Sequence, residues 1–173
     1  MKRMTENKPA SKLTSKNPWN RVNLPVYSIS STDDKGNFNM HIITYVTAIS
    51  MQPKRFICGV YHDTKTLSNI EAYPHFVLQL LASTQYRLVD LLGKKSGLTV
   101  DKIARLLKRK ELTEWNQFKI LSNCLAVMEM RVIESMEGGD HKIFLCDVVA
   151  FKNINNGEPL TLDTLRKHKM IRI

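Results

Sequence analysis

The chain has 173 residues, a length that suits one domain with a substantial core rather than two. Hydrophobic residues make up 43% of it, yet no apolar run approaches the roughly 20 residues that span a bilayer. The start, MKRMTENKPASKLTSK, lacks the apolar core and the cleavage site of a secretory signal. We therefore expect a soluble, cytoplasmic protein with no membrane partner.

The net charge of +10 favours an anionic ligand or a nucleic acid as partner. Much of the excess lies in the N-terminal tail, in residues 94–110 and in the C-terminal LRKHKMIRI, and no recognisable nucleic-acid module joins these places. A nucleic-acid-binding module is therefore the less favoured interpretation, and we expect the basic surfaces to be mainly solvated.

Residue types that bind metals are present, but they are not spaced as ligand sets. The three cysteines stand far apart in strand-like runs, which predicts buried, reduced thiols and no zinc site. None of the five histidines pairs with another at ligand spacing, so we expect no metal. The sequence also lacks GxGxxG, GxxxxGK[ST] and GxSxG, which leaves the usual nucleotide loops and a hydrolase elbow unsupported.

Residues 1–16 are polar and basic without apolar periodicity, and we expect a flexible tail there, followed by one domain at 17–173. Three strand-like runs begin that domain, separated by turn residues at 33–37 and by Pro53. The predicted strands are Leu24–Ser31, Phe38–Ser50 and Arg55–Tyr61. Short strands with tight connections predict an antiparallel meander or barrel.

The middle of the chain is predicted to alternate short helices with one buried strand. Thr66 is the predicted N-cap of a helix that Pro74 ends, and Phe76–Leu81 is a continuous apolar strand. A second small helix follows, and a glycine ends it. After a basic loop at 94–97, Thr99 caps a third helix whose lysines and arginines point mainly outward. Its predicted inward residues are Val100, Ile103, Leu106 and Leu107.

A long hairpin is the clearest element of the C-terminal part. Glu137–Asp140 is its predicted turn, between a strand from Cys124 to Glu134 and a returning strand from Lys142 to Phe151. Its methionines are predicted to pack in the core rather than to form a cofactor site. Alternation in the first strand puts five residues on one face: Cys124, Ala126, Met128, Met130 and Val132.

The turn from Tyr61 to Leu67, YHDTKTL, contains groups that can hold an anion. If a helix begins at Leu67, its first-turn amides lack acceptors and its N-terminal end carries a partial positive charge. Thr64 and Thr66 add hydroxyl donors and Lys65 adds a full charge, so a phosphate can bind here without a glycine-rich loop. From these residues alone, an ordinary capped helix start is the somewhat better interpretation.

Three segments, in order, carry a resemblance to a known family. They are TYVTAIS at Thr44–Ser50, the turn Thr64–Thr66 and GDHKIFLCDVVAF at Gly139–Phe151. Over about residues 20–155 the chain resembles the flavin reductase-like family of FMN-binding split barrels. The resemblance implies a mainly β fold, a six-stranded Greek-key antiparallel barrel with flanking helices. It also implies a homodimer with the flavin near the interface.

The resemblance further implies which residues hold the cofactor, FMN or alternatively FAD. Phosphate contacts are expected from Thr64, Lys65 and Thr66, with Asn69 supporting their turn. His141 is expected to orient the flavin or the nicotinamide reductant, because the protein in such enzymes mainly positions and tunes the cofactor. The remaining expected cofactor-binding residues, along or near the ring and ribityl chain, are Asn39, Thr44, Tyr45, Val46, Thr47 and His62.

These expectations together describe an NAD(P)H-dependent FMN oxidoreductase that passes electrons to free flavin or to another acceptor. An electron-carrying FMN protein that serves a protein partner without enzymatic activity is the alternative. Tyr45 bears on this choice, since small residues are frequent at its position in the family. A tyrosine there can stack on the flavin ring or narrow the room for a nicotinamide.

Overall fold

Strands dominate the architecture, which a computed structural model describes for residues 17–171. The strands in that range are β1 Tyr27–Ser31, β2 Asn39–Ile43, β3 Val46–Ser50, β4 Arg55–Tyr61, β5 His75–Leu80, β6 Leu112–Trp115, β7 Phe118–Leu121, β8 Ala126–Glu137 and β9 His141–Asn153. The α-helices are α1 Lys65–Ala72, α2 Leu88–Leu92, α3 Lys102–Lys108 and α4 Leu162–Lys167. The predicted basic tail at 1–16 lies outside the described residues.

Seven strands form one antiparallel sheet in the order β2-β1-β5-β8-β9-β4-β3. Its two edge strands, β2 and β3, are consecutive in the chain and are joined only by Thr44 and Tyr45. The sheet therefore curls until its edges meet, and β2 with β3 acts as one bent strand of a six-stranded barrel. The predicted mainly β, antiparallel barrel is confirmed.

Apolar side chains are buried in two clusters on opposite faces of the sheet, as the neighbouring Val77 and Leu78 of β5 show. The first cluster fills the barrel beneath α1 and includes Ile29, Phe56, Ile70, Phe76, Leu78, Met130 and Phe144. The second lies between the sheet and the other helices and includes Val77, Leu92, Leu106, Leu121, Val127 and Leu165. Because α1 packs on β1, β2 and β4, its N-terminus is held at the bend between β2 and β3.

The predicted strand Phe38–Ser50 is interrupted in the structure. At the bend, the Val46 amide donates to the Thr44 carbonyl at 3.0 Å, and the chain changes direction there. The Tyr45 carbonyl still accepts a hydrogen bond from the Gly59 amide at 2.8 Å, which keeps the bend attached to β4. No glycine or proline marks the bend, so strand periodicity alone missed it.

The β8–β9 hairpin confirms the core role of Met128 and Met130, whereas Met136 near its turn is 63% exposed. Met128, Met130 and Val132 lie in or against the barrel cluster, as the predicted alternation requires. Cys124 does not share their face, because β8 begins only at Ala126 and Cys124 packs in the second cluster.

Two predicted helix caps are wrong by two residues each. Thr64, rather than Thr66, caps α1, and its hydroxyl accepts a hydrogen bond from the Leu67 amide at 3.2 Å. Asp101, rather than Thr99, caps α3 through the amide three residues further on, at 2.9 Å. Both true caps have the extended backbone that an N-cap needs.

Helix α3 also turns one basic residue inward. Leu107, predicted to be buried, is 64% exposed, whereas Lys102 is only 3% exposed. The Lys102 ammonium donates to the Met40 carbonyl at 3.1 Å and to the Leu92 carbonyl at 2.9 Å, and these bonds offset the cost of its burial. The small β6–β7 sheet and helix α4 had no counterpart in the sequence predictions.

The thiols are free and buried, as predicted, and they are Cys58, Cys124 and Cys146. Burial raises the pKa of the Cys124 thiol to about 11, which suppresses its reactive thiolate form.

No helix within residues 17–171 is both long enough and apolar enough to cross a membrane. The same range contains no group of three or more His, Cys, Asp or Glu side chains placed to hold a metal ion.

Candidate functional site

A cleft opens where the N-terminus of α1, the end of β2 and the loop 93–97 meet, and we call it the main cleft. It has a volume of about 570 Å³. Eight of the predicted site residues line it: Asn39, Thr44, Tyr45, His62, Thr64, Lys65, Thr66 and His141. The fold thus brings together residues from four separate segments of the chain.

Two more predicted residues, Val46 and Thr47, line a neighbouring cleft of about 500 Å³. Because Ile57 and Ile143 also line it, we call it the apolar cleft. The two clefts share four residues at their border, which are Thr44, Tyr45, Gly59 and His141. A ligand that reaches past this border contacts both clefts.

Asn69 lines neither cleft and is buried in α1, one turn after Lys65. Its side-chain amide donates to the Asn37 carbonyl at 3.1 Å and to the Ser31 hydroxyl at 3.3 Å. These bonds join α1 to β1 and to the chain before β2.

The first turn of α1 has two kinds of group that attract an anion. Helix geometry leaves the amides of Lys65 and Thr66 without intrahelical acceptors, and Lys65 adds a side-chain cation. Thr64 closes this turn, since its hydroxyl donates to the Tyr61 carbonyl at 2.9 Å and accepts from the Leu67 amide. The single hydroxyl hydrogen of Thr64 is therefore already used within the protein.

Thr66 connects the turn to β2. Its buried hydroxyl accepts a hydrogen bond from Asn39 Nδ2 at 2.9 Å, so its own hydrogen is still available to donate. The loop 93–97 packs closely on the Asn39 side chain, and a Cβ at Gly97 would collide with Asn39 Oδ1. Glycine at position 97 thus lets this loop form a wall of the main cleft.

His141 stands between two tyrosines at the border of the clefts. Its ring meets Tyr45 edge-on with centroids 4.9 Å apart and Tyr61 with centroids 4.7 Å apart. Its Nδ1 lies 2.6 Å from Asp140 Oδ1, and this hydrogen bond lowers the pKa of the Asp140 carboxyl. With Nδ1 donating to the carboxylate, Nε2 is the nitrogen left for a ligand.

Gly59 of β4 permits this arrangement and was not singled out by sequence reasoning. A Cβ at Gly59 would lie 3.3 Å from the Cβ of Tyr45 and 3.8 Å from that of His141. Its amide also donates to the Tyr45 carbonyl, which fixes Tyr45 against β4, and His141 pairs with Tyr61 of the same strand. A lone glycine inside a predicted strand is the signal that could have found it.

His41 and Lys102 also line the main cleft and were not predicted. Burial lowers the pKa of Lys102 to about 8, and burial together with the charges of Lys102 and His141 lowers that of His41 to about 4. His41 is therefore neutral at pH 7, and within the described residues its buried Nδ1 has no hydrogen-bond partner. Sequence spacing could have indicated both residues. Lys102 precedes the buried Leu106 by one helical turn, and His41 follows Asn39 by two residues on β2, which puts both side chains on one face of the strand.

The chemistry of the main cleft fits a flat ligand that carries a phosphate, such as a flavin nucleotide. Its volume lies within the roughly 300–1,000 Å³ of small-molecule sites. Four lysines and one carboxylate are among its lining residues, and aromatic rings border its other part. His41, whose buried Nδ1 has no hydrogen-bond partner within the described residues, adds a neutral imidazole to the lining.

Comparison with known proteins gives a match over almost all of the described chain. The sequence model of the flavin reductase like domain matches residues 19–169. A curated relative, the high molecular weight rubredoxin of Moorella thermoacetica, is 28% identical over 132 residues. That match covers 75% of this chain and 57% of the relative, so the chain spans just over half of the relative's length.

Several solved structures share the fold. An FMN-binding protein from Thermus thermophilus with bound 1-cyclohex-2-enone has a TM-score of 0.69 and 20% identity, covering 88% of this chain and 80% of that chain. Flavoredoxin from Methanosarcina acetivorans has a TM-score of 0.70 and 21% identity, covering 90% and 84%. An NADH:FAD oxidoreductase from Streptomyces globisporus C-1027, in complex with NAD and FAD fragments, has a TM-score of 0.72 and 17% identity, covering 86% of each chain.

These likenesses show the split-barrel fold that the sequence predicted. The match of the family's sequence model to residues 19–169, together with that fold, shows that the chain belongs to the flavin reductase-like family.

Proposed function

We propose that the chain binds a flavin nucleotide in the main cleft and transfers hydride from NAD(P)H, through the flavin, to an acceptor. One observation carries this proposal. The cation and the free amides at the start of α1 open into the same cleft as His141 and its two tyrosine neighbours. The cleft therefore offers an anion-binding end and an aromatic end to one ligand, and FMN has both parts.

The residues in this proposal bind and orient, and the bound flavin supplies the hydride and electron chemistry. Lys65 and the first-turn amides of α1 hold the phosphate, while Thr64 keeps that turn closed. The bend from Thr44 to Thr47 lines the two clefts and would contact the ring. His141, fixed by Asp140, directs Nε2 to the flavin or to the nicotinamide.

The phosphate site is tested by comparing FMN with riboflavin, which lacks the phosphate. Lys65→Ala should weaken FMN binding about tenfold, the equivalent of one charge-assisted hydrogen bond, and should leave riboflavin binding nearly unchanged. Lys152→Ala, at an exposed lysine of β9, is the matched control and should affect neither ligand. Equal losses of both ligands in Lys65→Ala would assign the turn a structural role, and failure of the wild-type protein to bind FMN would refute the proposal.

Enzymatic activity is tested by mixing the FMN-loaded protein with NADH or NADPH under anaerobic conditions. We expect at least one donor to bleach the visible flavin absorbance. Persistent colour with both donors would instead support an electron carrier that serves a protein partner.

An electron carrier is the second candidate because Tyr45, which is 60% exposed, stands at the border of the two clefts. A side chain in this position can restrict the approach of a nicotinamide to the flavin. The names of two similar proteins, flavoredoxin and high molecular weight rubredoxin, are compatible with electron transfer. Tyr45→Ser should speed bleaching if the tyrosine restricts a nicotinamide. An unchanged rate would remove this argument for the carrier.

We also propose that the chain forms a homodimer through the outer face of β3, β4, β8 and β9. The register places Ile57 opposite Leu145 and Ile143 opposite Met136, on the face that the barrel cluster does not fill. Other exposed apolar residues on these strands are Ile49, Ile133 and Val149. Ile57 and Ile143 also line the apolar cleft, so a second copy on this face would complete a wall of that cleft.

The dimer proposal predicts that a charge on this face separates the copies and weakens the flavin site together. Leu145→Asp should shift the molar mass in sedimentation or light scattering from dimer to monomer and should lower FMN affinity. Leu107→Asp, at an exposed apolar position of α3, is the control and should change neither. A wild-type protein that is monomeric would refute the dimer without affecting the flavin proposal.

A cytoplasmic location belongs to the same proposal. Three free, buried thiols suit a reducing compartment. Cell fractionation with an antibody to the chain tests this location.

A further inference from the structure

A second polar cleft adjoins the main cleft at the first turn of α1. It has a volume of about 440 Å³ and shares Asn39, Lys65, Gly97 and Lys102 with the main cleft. Because Lys65, Lys102 and Lys119 line it, we call it the lysine cleft. The two clefts therefore meet at the turn that is proposed to hold the flavin phosphate.

The lysine cleft carries an excess of positive charge. Asp101 is the one carboxylate among its lining residues, and that side chain already caps α3. Lys119 Nζ is 3.7 Å from Glu114, but the Glu114 side chain is 79% exposed and such a pairing is weak. Lys102 donates to two carbonyls, so its ammonium has one further hydrogen to offer.

Apolar surface lies beside these cations. Phe38, Leu98 and Val100 line the lysine cleft, and the Lys119 ammonium lies 5.6 Å from the centroid of the Phe38 ring. A site that combines cations with an aromatic ring and aliphatic side chains suits a phosphate joined to a flat base. A nucleoside monophosphate has this composition.

We infer that the lysine cleft binds the adenylate half of a flavin dinucleotide, so that this chain takes FAD in preference to FMN. The inference rests on the proposed flavin site. In FAD the adenylate is attached through the phosphate that FMN carries, so a dinucleotide seated in the main cleft places its second phosphate next to the α1 turn. The lysine cleft begins at that turn, and Lys65 borders both clefts.

The inference is tested by titrating the full chain with FMN, FAD and riboflavin and following flavin fluorescence. We expect FAD to bind at least about tenfold more tightly than FMN, as one additional charge-assisted contact implies. Lys119→Ala removes a cation from the lysine cleft, and Leu98→Asp adds an anion to it. Neither residue lines the main cleft. Each change should weaken FAD about five- to tenfold and leave FMN unchanged, whereas Lys152→Ala should leave both unchanged.

The outcomes separate this inference from the flavin proposal. A wild-type protein that binds FMN but binds FAD no more tightly overturns the inference alone. Variants that weaken FMN and FAD equally also overturn it, because the lysine cleft would then have no ligand of its own. A protein that binds neither flavin refutes both. Leu98 is 62% exposed and Lys119 is partly exposed, so both variants should fold, which thermal unfolding checks.

Discussion

Replacing Thr66 by valine should destabilise the protein more than the same change at an exposed threonine. Thr66 is fully buried, Asn39 is 3% exposed, and a hydrogen bond of 2.9 Å joins them. Valine keeps the shape of threonine but removes the acceptor, so Asn39 Nδ2 is left unpaired away from water. Such a loss costs about 2 kcal/mol, which lowers the melting temperature of a domain of this size by about 4–8 °C.

A double-mutant cycle measures the bond itself. Urea unfolding gives the free energy of unfolding for the wild type, Thr66→Val, Asn39→Leu and the double variant. Because the double variant contains no unpaired partner, it should lose about 1–2 kcal/mol less than the sum of the single losses. Thr113→Val, at an exposed position of β6, is the control and should stay within about 0.5 kcal/mol of the wild type.

Two results would refute this reasoning. A Thr66→Val protein as stable as the Thr113→Val control would mean that the bond contributes nothing measurable. Strictly additive losses in the cycle would mean that Thr66 and Asn39 act independently, and the turn of α1 would then not be fixed to β2 through them.

Three further predictions concern other buried groups. Burial lowers the Lys102 pKa from 10.5 to about 8, so the unfolded chain binds more protons between these values and stability gains as pH rises through them. Urea unfolding at about pH 7.5 and about pH 10 should show a smaller gain in the free energy of unfolding for Lys102→Met than for the wild type. An equal gain in the two proteins would contradict this prediction. Gly59→Ala should cost about 1–3 kcal/mol and weaken flavin binding, because its Cβ would press on Tyr45 at 3.3 Å, and unchanged melting and affinity would exclude that contact. A thiol reagent should modify the cysteines only after unfolding, and rapid labelling of the native protein would contradict the burial of Cys58, Cys124 and Cys146.

Local patterns sufficed where a segment's structure depends on its own residues. Strand β4 has the bounds that were predicted, Arg55–Tyr61, because an apolar run is bracketed there by Pro53 and a polar turn. The methionine face of β8 followed from simple alternation in the same way. The order of these elements, with the resemblance at three segments, was enough to predict the barrel.

Elements without a clear signal were missed. The β6–β7 hairpin turns at Asn116 and Gln117, whose φ angles are 44° and 67°, and no glycine marks this left-handed backbone in the sequence. Helix α4 has six residues, which is too short for apolar periodicity to stand out. Both elements cover the second core cluster, so their stability comes from packing rather than from local preference.

The residues of the site also divide into those that the local sequence predicts and those that it does not. Hydroxyls and a lysine before a helix made the α1 turn recognisable, although its cap proved to be Thr64. Lys102 could not be placed, because its partners, the carbonyls of Met40 and Leu92, are brought to it only by the tertiary fold. The lowered pKa of His41 likewise depends on the tertiary fold, first through burial of the imidazole and then through the charge of Lys102.

The bend at Thr44 and Tyr45 makes the barrel's line of closure part of the site. The Gly59 amide donates to the Tyr45 carbonyl beside this line, where the pairing of β3 with β4 ends, and both residues border the main and apolar clefts. Hydrogen exchange at the Gly59 amide therefore reports how often the bend detaches from β4 where the ligand would sit. A ligand that binds only when the bend is attached slows this exchange. The exchange rate of one amide therefore measures both the occupancy of the site and the local stability of the fold.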